Sequence, residues 1–345
     1  MARGAGSAVR ARVVEEAPAS AEDRKKPPVK QDVHKEDAAP KQEAAPSSTP
    51  KPKKQPTVTK GTDLQDVYQP ASQSASLGTL IPKNMAAPIR DALENLREKH
   101  GDIDAFVAKE LGYKDAAELA GRFAGEQVDA IALAIDNMSR GAGFITGDQT
   151  GIGKGRVNAA IIRWAKRNGK TPVFVTMKPE LYADMLRDLN DIGETGFNPL
   201  PTNKLRGKNA IALPDGGKLE SPSNLDKVIA KAISQGKLEG FDGIFTTYSQ
   251  LAPSNGKDSP RRELLRSLNE NTVLILDESH NAGGSDKGKY KKKDAAKSTG
   301  SFLRERIAES PNGVFYSSAT YAKRPDVMSL YAKTDMQHAV EDLDV

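Results

Sequence analysis

The sequence contains no cysteine, which excludes disulfides, cysteine nucleophiles and thiolate-held metals. Its four histidines, His34, His100, His280 and His338, are too scattered to suggest a zinc cluster. Aromatic residues make up only 5% of the chain and the hydrophobic set 37%, below a typical globular mix, so part of the chain is expected to lack a packed core. No apolar run approaches the roughly 20 residues of a membrane span. Arg3 and Arg10 precede no apolar stretch of the kind a secretory signal needs. These absences point to a soluble, cytoplasmic protein.

What is present falls into distinct blocks over 345 residues with a formal net charge of +5, a charge that permits an anionic partner without demanding one. Residues 1–70 mix Lys, Glu, Ala and Pro with almost no large apolar side chains and are expected to be a disordered tail. Its RKKPPVK and KPKK runs could touch nucleic acid, but the interspersed glutamates favour a solvated tail. Residues 71–125 read as a helical lead-in region. Asn84 is the expected cap of its first helix, Gly101 ends that helix, and further helices are expected over 103–111 and 116–123.

The stretch GDQTGIGKGR, Gly147 to Arg156, organises the remainder. An apolar run at 143–145 leads into it and a helical pattern at 157–165 follows. Strand, glycine-rich turn, lysine and helix together cradle nucleotide phosphates: backbone N–H groups point inward, and the helix N-terminus adds its dipole. The string departs from G-x-x-x-x-G-K-S/T at two places. Asp148 holds the position of the first glycine, and Gly155 stands where a magnesium-binding hydroxyl is expected. A dinucleotide fold of the G-x-G-x-x-G type is demoted, because the third glycine would fall on Arg156.

Downstream, apolar β-branched runs alternate with helical patterns: strands at 171–177, 243–247, 272–277 and 313–316, helices at 181–189, 225–233, 261–268 and 302–307. A polar excursion is expected over 193–224. The alternation predicts an α/β fold with a mostly parallel sheet covered on both faces. Functional residues in such sheets collect at the carboxyl ends of strands. The strand at 272–277 ends in Asp277-Glu278, a pair suited to holding magnesium and activating water. Gln127 lies about 27 residues before Lys154; its amide can both donate to and accept from an adenine edge, although a surface glutamine on a helix is the plain alternative. The basic stretch from Gly283 to Gly300, with KGKYKKKDAAK, reads equally as a phosphate-backbone contact or as a solvated loop.

The order of phosphate loop, Asp-Glu-Ser-His and Ser-Ala-Thr resembles the first RecA-like domain of superfamily 2 helicases. More narrowly, EQVDAIALAI, GFITGDQTGIGKGR, ELYADMLRDLNDIG, TTYSQL, VLILDESHNAGG and FYSSATYAKRPDVM resemble the strawberry notch family. They also resemble the helicase part of phage and plasmid methylase–helicase antirestriction proteins. In that family GKGR replaces GK(S/T). The resemblance implies a RecA-like ATP-binding domain at 126–338 that uses ATP and Mg2+ and acts on nucleic acid, DNA foremost. Gln127 would read adenine. Thr150, Gly151, Ile152, Gly153, Lys154, Gly155 and Arg156 would wrap the phosphates. Asp277 would anchor magnesium and Glu278 activate water. His280, Ser318 and Thr320 would couple the nucleotide to the nucleic-acid surface, with Lys178, Thr247 and Tyr248 near the strand backbone. Such motors use a second RecA-like domain, which has no counterpart after Ser318-Ala319-Thr320. A fragment, half of a split gene and a shortened relative all stay open. The alternative is a nucleotide-responsive binding module that turns over only with a partner chain.

Overall fold

The computed structural model describes residues 64–147, 153–254, 257–282, 298–320 and 325–335, all within one compact unit. Residues 1–63 of the expected tail, the loop residues Thr150, Gly151 and Ile152, and the basic stretch up to residue 297 lie outside the described residues, whereas residues 64–70 of that expected tail are described and carry a strand.

A two-stranded antiparallel ribbon, β1 (Gln65–Val67) and β2 (Leu80–Pro82), opens the described chain. Four helices follow: α1 (Lys83–His100), α2 (Ile103–Leu111), α3 (Ala116–Ala120) and α4 (Gly125–Ser139). Asn84 is not the cap expected of it. The helix starts one residue earlier, after Pro82, with no side-chain cap, because the ribbon delivers the chain directly and Lys83 N–H donates to Leu64 O at 3.1 Å.

Three buried carboxylates hang the segment between β1 and β2 on these helices. Asp129 accepts from Tyr68 Oη (2.8 Å), Ala71 N (2.7 Å) and Ser72 N (2.9 Å). Asp104 accepts from Gln73 N at 2.7 Å and from the Ser72 hydroxyl. Glu126 takes Leu77 N at 2.9 Å and Gly78 N at 3.1 Å. Burial pushes the Asp129 carboxyl above its usual range, against the three donors that hold it down. The lead-in is thus pinned beside the N-terminus of α4.

The core is one six-stranded, wholly parallel sheet. Its strands are β3 (Gly143–Thr146), β4 (Thr171–Thr176), β5 (Pro199–Pro201), β8 (Gly243–Thr247), β9 (Thr272–Asp277) and β10 (Val314–Ser317). They lie in the order β3-β10-β9-β4-β8-β5. A small hairpin, β6 (Ile211–Ala212) with β7 (Lys218–Leu219), stands apart. Helices α5 (Lys154–Arg167) and α6 (Leu181–Asp191) follow β3 and β4, while α7 (Leu225–Gln235), α8 (Pro260–Ser267) and α9 (Thr299–Glu309) occupy the later crossovers.

Successive side chains of a strand face opposite ways, so each strand feeds two apolar layers. Val273 and Ile275 of β9 join the layer with α4, α5 and α6, whereas Leu274 and Leu276 join the layer with α7, α8 and α9. This two-sided burial is why these strands read as continuous apolar runs. The helix–strand alternation therefore folds as expected, into the RecA-like α/β architecture. The sixth strand departs from expectation: β5, in the stretch read as a polar excursion, is Pro-Leu-Pro. Proline cannot donate to a ladder, and β5 pairs on one side only, as the sheet's edge.

Candidate functional site

The parallel register aligns the strand ends. Thr146 pairs with Ser317, Ser317 with Asp277, and Thr176 with Thr247. Thr176 Oγ1 donates to Asp277 Oδ2 at 2.9 Å, which completes a row across the sheet. The phosphate-loop strand and the carboxylate strand are not neighbours; β10 lies between them, and Ser318 N–H donates to Thr146 O at 3.1 Å. The three sequence motifs therefore meet along one edge because their strands end at the same level.

Lys154 opens α5 immediately after Gly153, whose φ of +81° is a left-handed conformation open to glycine. Its ammonium is buried, has no hydrogen-bond partner among the described residues, and lies 3.9 Å from Glu278 Oε1. One turn further along the same helix face, Asn158 donates to Asp277 Oδ1 at 3.4 Å. Asp277 is mostly enclosed. Burial pushes its carboxyl upward, assisted by the Glu278 charge and opposed by Thr176, Lys154 and Asn158.

Glu278 has φ of +48°, the one described non-glycine residue in the left-handed region. Such a backbone is held only where its surroundings impose it. Asn281 fastens this turn through two bonds to Glu278 O, N at 2.9 Å and Nδ2 at 3.0 Å. The Glu278 carboxylate lies between Lys154 and His280, with Oε2 at 3.4 Å from His280 Nδ1. That same nitrogen faces Ser318 Oγ at 2.8 Å and Thr320 Oγ1 at 3.1 Å, while Thr320 N–H donates to Ser318 Oγ at 3.1 Å. His280, Ser318 and Thr320 thus form one network with Glu278 at the end nearest Lys154.

The remaining expected residues take varied positions. Gln127 is buried, with Oε1 accepting from Ala124 N at 3.0 Å and Nε2 donating to Gly153 O at 3.5 Å. It touches the start of α5 while also bracing its own helix. The Arg156 guanidinium turns to Arg122 O (2.9 Å) and Asp191 (3.3 Å), joining α5 to α6. Lys178 is exposed after β4. Thr247 is fully buried, its hydroxyl at 2.9 Å from Ser249 Oγ. Tyr248 is buried too, donating to Asp277 O at 2.7 Å, so its contact is with the carboxylate strand.

Two participants escape sequence reasoning. Asn158 carries no motif signal. Asp188 of α6 lies against the position of the missing hydroxyl: a Cβ built on Gly155 would overlap Asp188 Oδ2, and a side chain there would require that carboxylate to turn away.

The residues fit a nucleotide with a divalent cation. A buried ammonium without a hydrogen-bond partner calls for an anion, and an enclosed carboxylate calls for a cation. No group of three or more His, Asp or Glu able to hold a metal occurs among the described residues. Magnesium here would therefore rely on Asp277, water and the nucleotide's own phosphates.

Comparison with known proteins agrees with this reading. The family described as P-loop containing NTP hydrolase pore-1 matches residues 110–339. Protein strawberry notch of Drosophila melanogaster is 30% identical over 200 residues, covering 54% of this chain and 10% of that protein. Protein FORGETTER 1 of Arabidopsis thaliana is 32% identical over 151 residues, 41% of this chain and 10% of that protein. Strawberry notch homolog 1 of Gallus gallus is 32% identical over 201 residues, 54% and 14% of the two chains. The chain thus spans a small part of the curated relatives it matches. Among solved structures, the Sulfolobus solfataricus SWI2/SNF2 ATPase core in complex with dsDNA superposes with a TM-score of 0.39 at 15% identity, over 61% of this chain and 35% of that one. The chain belongs to the family described as P-loop containing NTP hydrolase pore-1, and over about half its length it is similar to strawberry notch proteins.

Proposed function

We propose that this chain is an ATP-binding and ATP-hydrolysing module of helicase type that acts on nucleic acid, DNA foremost. The observation that carries the reading is the buried Lys154 ammonium, without a hydrogen-bond partner among the described residues, facing the Asp277-Glu278 pair across aligned strand ends. Lys154 would hold the β- and γ-phosphates, together with the N–H groups at the start of α5. Asp277 would hold magnesium, fixed by Thr176 and Asn158. The cation, when bound, neutralises charge developing on the transferred phosphate. Glu278 would orient and deprotonate the attacking water, and His280 would pass the state of Glu278 to Ser318 and Thr320. Gln127, beside Gly153, would face the adenine. The domain boundaries that suit these roles are a tail that ends before β1, a helical lead-in that runs from there to residue 125 and the ATP-binding domain at 126–338.

The nucleic-acid reading rests on the helicase resemblance and on exposed Lys178 at the carboxyl edge. A cytoplasmic role in a phage or plasmid DNA-processing or antirestriction system fits the same resemblance. A second reading, binding without turnover until a partner chain supplies a second RecA-like domain, is favoured by Glu278. Its carboxylate lies 3.9 Å from Lys154 and 3.4 Å from His280, two neighbours that compete with an attacking water for it.

Phosphate release by the purified chain, with and without single-stranded DNA, separates the two readings. DNA-stimulated release that Glu278→Gln abolishes, with ATP binding retained, supports turnover. Binding without release supports the partner-dependent module. No ATP binding at all rejects both.

A further inference from the structure

Position 155 carries no side chain, and position 158 faces the metal-holding carboxylate. A Cβ at 155 would overlap Asp188 Oδ2, so a hydroxyl there would first require the Asp188 carboxylate to swing aside. Asn158 lies four residues after Lys154, on the same face of α5. Its side chain is 2% exposed. Its Nδ2 is bonded to Asp277 Oδ1 at 3.4 Å, whereas its Oδ1 is buried with no hydrogen-bond partner. Ser317, paired in register with Asp277 on β10, likewise has a fully buried hydroxyl without a partner. Lys154 and Asn158 act on one carboxylate, Ser317 sits beside it in register, and each leaves a polar atom without a hydrogen-bond partner among the described residues. Buried polar groups are rarely left in this state unless a ligand, ion or water answers them.

We infer that Asn158 is the positioning residue for the divalent cation, taking over the role that the hydroxyl at 155 has in other phosphate loops. This rests on the proposed nucleotide site. One end of the amide orients the Asp277 carboxylate, and the other meets a water of the cation's hydration shell. A divalent magnesium keeps several of its waters when bound, so a neutral acceptor one turn inside the helix suits it. Asp188 occupies the space in which a side chain at 155 would begin.

The test measures binding of a fluorescent ATP analogue to the full chain across a magnesium titration and, separately, in EDTA. Wild type and Asn158→Ala are compared, with Asn158→Ser as a second variant that restores a polar atom and covers the case of an unfolded alanine variant. Asn158→Ala is expected to raise the magnesium concentration at half-effect by roughly tenfold, the scale of losing an outer-shell partner. It should leave affinity in EDTA unchanged, and serine should recover part of the loss. An unchanged magnesium half-point overturns the inference. So does equal weakening with and without magnesium, which marks a merely structural role. If wild type binds no nucleotide under either condition, the underlying site assignment fails as well, an outcome distinct from a silent Asn158 variant.

Discussion

Lys154 provides a test in which two measurements must move in opposite directions. In the nucleotide-free protein its ammonium is buried without a hydrogen-bond partner among the described residues, with Glu278 at 3.9 Å. A buried donor left unsatisfied costs about 1–3 kcal/mol. The Glu278 contact is partly solvated and long, and offsets about 1 kcal/mol or less. Replacing the ammonium by an apolar chain of similar volume, Lys154→Met, should therefore stabilise the free protein by about 1 kcal/mol. For a domain of this size that corresponds to a rise in Tm of about 2–4 °C. The same change removes a charge-assisted contact to phosphate worth about 1.5–3 kcal/mol, so ATP affinity should fall roughly 10- to 100-fold. Thermal melts without nucleotide and equilibrium titration with a fluorescent ATP analogue read the two effects. A free protein that melts several degrees lower would show that Lys154 is a structural cation. Unchanged ATP affinity would remove it from the nucleotide site. Either result refutes the argument.

Three further outcomes follow from the geometry. Asp277→Ala should abolish the magnesium-dependent part of nucleotide binding, because position 155 supplies no second ligand; a binding isotherm that still responds to magnesium would refute this. Gly155→Ser should destabilise the fold by about 1–3 kcal/mol through overpacking against Asp188. Asp188→Ala in the same chain should relieve most of that loss, and additive costs in the double-mutant cycle would deny the contact. Tyr113 donates to Ile192 O at 2.6 Å, and burial pushes its phenol up to about 12. Its folded pKa lies above the unfolded value near 10, so its stabilisation is complete below pH 10 and is lost as pH rises toward 12. The stability gap between wild type and Tyr113→Phe should therefore close over that range, and a constant gap in denaturant melts would contradict the shift.

The sheet was legible because β4, β8 and β9 are buried on both faces, and such strands must be continuous apolar runs. Asp277-Glu278 was legible because carboxylates that end a buried strand emerge at its carboxyl edge. Edge strand β5 was hidden by its prolines, and only the pairing with β8 reveals it. The carboxylate staples were hidden for another reason. Tyr68 meets Asp129 across 61 positions and Gln73 meets Asp104 across 31, and contacts between a side chain and distant backbone leave no period in the sequence. Tyr248 shows the limit of motif transfer. Its place after β8 was correctly located, but whether its ring faces solvent or the carboxylate strand depends on tertiary packing. Gly155 was visible as a departure from the usual loop; its neighbour, Asp188 on the next helix, was not.

The unusual features at this edge belong together. Lys154 has no hydrogen-bond partner among the described residues, Glu278 holds a left-handed backbone, and Asp277 is a carboxylate that burial disfavours as an anion. Each alone lowers the stability of the free protein, and a domain is stable by only about 5–15 kcal/mol in total. Unfavourable local choices of this kind concentrate where a site must meet a ligand. A structural remnant that had lost nucleotide binding would gain stability from many substitutions here, with nothing to oppose them. The first and last of these features, Lys154 and Asp277, would be relieved by one chemical object, a polyphosphate carrying a divalent cation: its oxygens answer Lys154 and its metal answers Asp277. Their common relief is a stronger argument for nucleotide than the glycine-rich string alone, because it rests on charges held by α5 and β9 together.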